Sequence, residues 1–317
     1  MSTTSVTTNP AELSATARSR QRARAARDTR TGLLFALPWL IGFTVFFAYP
    51  VLASLYYSLC SFDAIRPPRF IGLANFQRLF FEDDLFWKSL GNTVYMVAFG
   101  LPVGLIASLA IALLLHQKLK GIALYRTVFY LPSITPVVAT SILWLWLLNP
   151  EMGLINLGLA KLGIEGPAWL TDPAWAKPAL ILMALWGAGG GIVIYLAALQ
   201  DIPESLYEAA SLDGARGPTA LFRITLPMLT PVILFNLIMG LIGTFQYFTQ
   251  AYVISNGRGD PAGATLFYNL NLFREGFAFF HMGYASALAW FLFVIVLGLT
   301  IILFRTAGSW VYQGGER

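Results

Sequence analysis

The chain is short of the residues that soluble chemistry uses. One cysteine, Cys60, stands in 317 residues, so there is no internal disulfide framework, and a small buried hydrophobe is its expected role. The two histidines, His116 and His281, lie far apart and have no acidic or thiol partners at metal-ligand spacing, so no metal site is expected. Lysine occurs only at 88, 118, 120, 161 and 177. None follows a Gly-rich turn, and no GxxxxGK(S/T) phosphate loop exists, which closes that route to ATP hydrolysis.

Charge is equally scarce, at 12% of residues. Between Arg223 and Arg258 there is none, and the other long apolar runs are as free of it. Proton relays and voltage sensors place ionisable groups in their spans despite a cost of about 2.5–3.5 kcal/mol or more each, so neither fits. Backbone-coordinated sodium is not excluded by that argument. A membrane enzyme is disfavoured in the same way, because no His or acidic group lies among the Ser and Thr of the spans to act as a base. No catalytic residue is assigned.

What is present is apolar: 57% hydrophobic residues, far too many for a soluble domain of this size. Six long runs, about 33–60, 89–115, 127–148, 178–199, 228–254 and 284–304, each exceed the ~20 residues needed to cross a bilayer. The expected fold is an all-α polytopic membrane protein with six transmembrane helices. Residues 1–32 carry Arg18, Arg20, Arg22, Arg24, Arg27 and Arg30 and read as a disordered basic cytoplasmic tail. A signal or transit peptide is the competing reading, but the run that follows is too long for a signal core. Thirteen of the 21 Lys and Arg fall in the tail, the 116–126 turn, the 200–227 loop and the C-terminus. Positive-inside then places both termini in the cytoplasm of a bacterial or archaeal plasma membrane, 309–317 being a short C-terminus. The +5 formal charge is thus a topology signal, and no nucleic-acid partner is implied.

Prolines at 38, 50, 102, 132, 136 and 231 and the cluster Gly187–Gly191 interrupt the runs. Kinked helices around a cavity and ordinary close packing explain them equally well. Segment 264–280, with Phe267, Leu270, Phe273 and Phe277 set among Asn269, Asn271, Arg274 and Glu275, reads as an interfacial amphipathic helix. Neutral polar and aromatic residues remain inside the spans: Asn92 and Tyr95, then Trp186, Tyr195, Asn236, Thr244, Gln246, Tyr247 and Gln250. Such groups suit an uncharged polyhydroxylated ligand and form the candidate substrate pathway, although bonding between helices is the plainer role for each.

The stretch 201–227, DIPESLYEAASLDGARGPTALFRITLP, is polar and helix-prone between two apolar runs. Asp201 is the expected cap, Gly214 the expected end, and Leu226-Pro227 the stop of a second short helix. Tyr207, Ala210, Ser211 and Gly214 recur at helical spacing and would let another protein approach closely. Glu204 and Glu208, four apart, repel by a few tenths of a kcal/mol unless a basic partner meets them. A lipid-surface helix would carry Lys and Arg there, so a docking handle is the better reading.

The pattern Glu208-Ala209-Ala210, three residues, Gly214, nine residues, Ile224-x-Leu226-Pro227 resembles the EAA loop of permease subunits in binding-protein-dependent ABC importers. Arg126-Thr127-Val128-Phe129-Tyr130-Leu131-Pro132, Trp144 with Gly153 and Asn156, Tyr252-Val253 and Met282–Ala287 are similar, in order, to the sugar branch of that family, including maltose, oligosaccharide and glycerol-phosphate types. The resemblance implies a type I importer architecture, a permease domain over 33–308, and ATPase coupling through Glu204, Glu208, Ala209, Ala210, Ser211, Asp213 and Gly214. It also implies that the fifth span lines the pathway. The implied partners are a homologous second permease, two ATPase subunits holding ATP and Mg, an extracytoplasmic solute-binding protein and a neutral sugar substrate. A stand-alone secondary carrier or facilitator, and a non-transporting assembly subunit, are the alternatives.

Overall fold

The computed structural model describes residues 30–117, 120–215 and 217–312; the tail before residue 30 lies outside them. Four continuous helices are long and apolar enough to cross a membrane: α1 (Arg30–Ser58), α3 (Asp84–His116), α10 (Gly217–Ser255) and α12 (Met282–Trp310). Two more crossings are bent pairs. The first is α4 (Ile122–Ile134) with α5 (Val137–Leu147), at 101°, and the second α7 (Pro173–Trp186) with α8 (Gly189–Gln200), at 47°. Shorter helices complete the set: α2 (Ala74–Phe81), α6 (Leu154–Lys161), α9 (Glu204–Leu212) and α11 (Tyr268–Phe273).

The prolines are seated in two ways. In α1, α3 and α10 a wide i→i+5 turn spans Thr44–Ala48, Met96–Gly100 and Leu221–Thr225, and Pro50, Pro102 and Pro227 each stand two residues beyond it. The amide before each proline reaches back five residues, Leu226 to the Leu221 carbonyl for example. Widening the turn relieves the proline clash while the helix continues. Leu226-Pro227 therefore does not stop a helix, contrary to the expectation: residues 217–220 run straight into the span. Sharp bends occur instead where two breakers coincide, at Pro132 with Pro136 and at Gly187-Ala188.

Helix α1 is apolar, with Trp39, Phe43 and Phe47 stacked at 5.3 Å intervals one turn apart.

In the remainder, α8 packs along the C-terminal half of α3, and small residues set the approach. A Cβ on Gly191 would lie 3.2 Å from Ser108 Oγ, and one on Gly189 2.8 Å from the Phe129 carbonyl. Near α9, Leu115, Leu196, Leu199 and Leu229 form a buried cluster. Toward the other end, Leu79, Phe86, Phe245, Tyr268 and Leu288 form another. Large hydrophobics elsewhere, such as Phe46, Ile106, Phe222 and Val294, are exposed, as a lipid-facing surface requires.

The end away from α9 is knitted by polar groups. Asp83 caps α3, accepting from the Leu85 and Phe86 amides, and its other oxygen accepts from the Tyr284 hydroxyl. A two-stranded ribbon, β1 (Cys60–Ser61) with β2 (Arg69–Phe70), pairs antiparallel. Buried Asn75 donates to the Ser58 and Cys60 carbonyls at 2.8 and 2.9 Å. Cys60 itself is fully buried and unpaired.

Segment 264–280 belongs to this knot, which corrects the interfacial-helix expectation. Phe267, Tyr268, Leu270 and Asn271 are buried, Tyr268 donates its amide to Thr93 and its hydroxyl to the Leu288 carbonyl, and Glu275 pairs with Arg78 at 3.4 Å and His281 at 2.8 Å. The amphipathic pattern was read against lipid, but its partner is protein. Burial beside Asp83 raises the Tyr268 phenol above its usual range, so it remains a neutral donor.

Candidate functional site

A cavity of about 320 Å³ lies among α3, α7, α8 and α10. Helix α3 contributes Met96, Gly100, Gly104 and Ser108, a stripe at intervals of four that puts small side chains on one face. The α7–α8 bend opens the facing wall, lined by Ala184, Gly187, Gly191 and Tyr195. Helix α10 closes the third side with Asn236, Gly240, Thr244 and Tyr247. The space exists because glycines hold no side chain there and the bend turns backbone aside.

The polar groups of this wall are oriented by their own helices. Ser108 Oγ donates to the Gly104 carbonyl at 2.8 Å, Thr244 Oγ1 to Gly240 at 2.7 Å, and Asn236 Nδ2 to Val232 at 2.9 Å. Each i−4 bond spends a donor. The Ser and Thr oxygens and the Asn236 carbonyl oxygen keep acceptor capacity for hydroxyl donors. The Tyr247 hydroxyl is buried and has no hydrogen-bond partner among the described residues. Among the described residues no Asp, Glu, His, Lys or Arg lines the cavity.

Four expected pathway residues, Tyr195, Asn236, Thr244 and Tyr247, are brought together here. The others are elsewhere: Trp186 packs edge-on against Trp144 at 6.2 Å, Gln246 lines a separate pocket with Phe248 and Asn269, and Gln250 is half-buried outside the cavity wall. The α3 stripe was missed. Its signal was the spacing Gly100, Gly104, Ser108, a small-residue repeat of the kind that lets helices approach.

The second candidate region is α9. Asp201 does not cap it: Asp201 ends α8, its amide bonded to Ala198, and α9 starts at Glu204 after Pro203 with no side-chain cap. Pro203 fills that boundary, since a proline ahead of the first turn removes an amide that would be left over. Gly214 does terminate the helix, at φ +75°, with the Ala215 amide returned to the Ala210 carbonyl at 2.9 Å.

Of the expected contact face, Tyr207 turns inward, its hydroxyl 2.9 Å from Thr225 Oγ1 of α10, and Ala210 is half-buried. The solvent-exposed side instead carries Glu208, Ala209, Ser211, Asp213 and Gly214. Leu212, which sequence reasoning passed over, is 89% exposed there. Between α9 and the end of α3 lies a pocket of about 480 Å³, lined by His116, Asp201, Glu204 and Tyr207.

Comparison with known proteins settles the family. The family model "binding-protein-dependent transport system inner membrane component" matches residues 100–313. The chain belongs to that family. Among its relatives, the probable ABC transporter permease protein YesP of Bacillus subtilis (strain 168) is 45% identical, over 90% of this chain and 93% of that one. The lactose transport system permease protein LacF of Rhizobium radiobacter is 37% identical, over 87% and 93%. Among solved structures, a permease chain of a bacterial alginate ABC transporter, in complex with an alginate pentasaccharide-bound periplasmic protein, superimposes with a TM-score of 0.77 at 25% identity, covering 88% and 95%. The chain is thus a membrane permease component of a binding-protein-dependent transport system, related to ABC transporter permeases.

Proposed function

We propose that the chain is one of two homologous permease subunits of an ATP-driven importer, carrying a sugar or oligosaccharide whose neutral body is met by the cavity wall. The observation that carries this reading is α9: a short acidic helix outside the bundle, with Glu208 and Leu212 turned outward. Two ATPase subunits, holding ATP and Mg, would seat α9 from the cytoplasm. Their closure would move α9 and, through the Tyr207–Thr225 contact, α10. Because α10 is a wall of the cavity, the motion would open one end as the other shuts. A solute-binding protein would deliver the sugar at the far end, as the alginate transporter's complex with a periplasmic protein suggests, and the lactose permease supports a sugar as cargo. The positive-inside count supports both termini being cytoplasmic.

Glu208→Arg tests this directly. In the assembled complex, in liposomes, the variant is expected to lower substrate-stimulated ATP hydrolysis and uptake together, at least tenfold. Wild-type levels of both would overturn the coupling assignment, and uptake by the chain alone would move the reading to a lone carrier.

A further inference from the structure

The fifth span turns successive residues toward different spaces. Helix α10 is interrupted over 246–248, between its stretches Leu226–Phe245 and Thr249–Ser255. Tyr247 lines the cavity already described, whereas Gln246, Phe248 and Thr249 line a second hollow of about 380 Å³. Its opposite wall is α11, whose Asn269, Leu272 and Phe273 share one helical face, while Tyr268, Leu270 and Asn271 turn into the buried knot. The hollow therefore belongs to the end away from α9, beyond the cavity along α10.

Three polar side chains meet there unspent. Gln246 and Thr249 are exposed and Asn269 is half-buried, and none of the three side chains makes a hydrogen bond to a described residue. By contrast Asn92, Asn156 and Asn236 are committed to protein carbonyls. A carboxamide left unpaired against hydrocarbon is costly, so this face is not built for lipid. A subunit interface is packed as closely as a protein interior, whereas a hollow of this volume falls in the range of small-molecule sites. Aromatic rings complete it: Phe248 and Phe273 lie 5.1 Å apart at 50°, and Phe273 stacks on Phe277 at 5.2 Å. Among the described residues no Asp, Glu, His, Lys or Arg lines the hollow, so a charged ligand finds no counter-ion in its wall.

We propose that Gln246, Thr249 and Asn269, with the rings of Phe248 and Phe273, form a second sugar-binding subsite for one neutral pyranose ring, which the cargo occupies before it reaches the cavity. Each carboxamide offers a donor and an acceptor to neighbouring hydroxyls, and the aromatic rings meet the C–H face of the sugar. The subsite rests on the permease reading and adds a station ahead of the cavity. Its contacts hold the arriving sugar, so losing them weakens capture and spares turnover.

The test uses the assembled importer in nanodiscs, with Cys60→Ala as background and Gln246→Cys as the single thiol, labelled by a charged methanethiosulfonate. The probes are glucose, galactose, lactose and raffinose, each at saturating concentration. The thiol is expected to label, and at least one of these sugars to slow the labelling at least threefold. Adding Asn269→Leu to the same chain should remove that protection; Phe273→Leu takes its place should the first variant not assemble. In uptake of the protecting sugar, Gln246→Leu should raise KM at least fivefold with kcat within about twofold of the wild type, and Gln246→Asn, which keeps the carboxamide, should recover part of the loss. No labelling would mean that lipid or a second permease covers the hollow, and would overturn the subsite. Labelling that no sugar slows, protection that survives loss of Asn269 or Phe273, or an unchanged KM would each overturn it as well. The permease reading fails separately, through absence of a co-assembled ATPase or insensitivity to Glu208→Arg.

Discussion

The two ends of the helix bundle are built on opposite principles. The end away from α9 is tied across elements distant in sequence: Asn75 to the β1 backbone, Asp83 to Tyr284, Thr93 to Tyr268, and Glu275 to Arg78 and His281. At the α9 end, the contact joining the short helix to α10 is the Tyr207–Thr225 pair, and most of the α9 surface is exposed. Such a network resists relative movement, because each displaced partner is left unsatisfied at about 1–3 kcal/mol. One end is therefore a fixed frame, and the other is left for a partner to hold.

Substitutions can break that contrast. The largest effect on stability is expected from Gly283→Ala, whose Cβ would overlap the Cys60 carbonyl oxygen at 2.1 Å. Backbone cannot give way there, since the Gly283 amide also bonds Phe62 at 3.0 Å. A loss of about 3 kcal/mol is expected, seen as a lower melting temperature of the purified chain in detergent. Next comes Asn75→Ala, which strands the Ser58 and Cys60 carbonyls and should cost about 2 kcal/mol in the same assay. Gly214→Ala, at the loose end, meets open space and pays only for a left-handed backbone, about 1 kcal/mol. Its melting temperature should barely move, while ATPase recovery on co-purification falls. If Gly214→Ala melted as low as Gly283→Ala, the two ends would not differ as argued.

Much of this was legible in the residues. Apolar runs longer than a bilayer fell on the four continuous helices and the two bent pairs, because a lipid-facing helix has to be apolar on most of its circumference. Gly214 was readable as a helix end because few other residues adopt positive φ. The misreadings share a cause. Asp201, Pro227 and segment 264–280 were judged by local rules for caps, breakers and amphipathic faces, and in each case a neighbour changed the outcome: α8 ran on to take Asp201, a wide turn absorbed Pro227, and α3 with α12 covered the 264–280 face. The site was half visible. Tyr195, Asn236, Thr244 and Tyr247 could be named as polar groups in spans, but their meeting with the α3 stripe depended on how α7 and α8 bend.

By itself, the sequence determined the class of molecule, the long apolar runs and the acidic character of the α9 loop, because these follow from composition and short-range periodicity. Only the tertiary structure decided which polar groups share a cavity, that Tyr207 faces inward while Leu212 faces out, and that Lys177 bonds Asn92 while Lys88 bonds the Ala262 carbonyl. Those outcomes depend on contacts between residues up to 175 positions apart, and no local pattern encodes which distant surface will satisfy a given side chain.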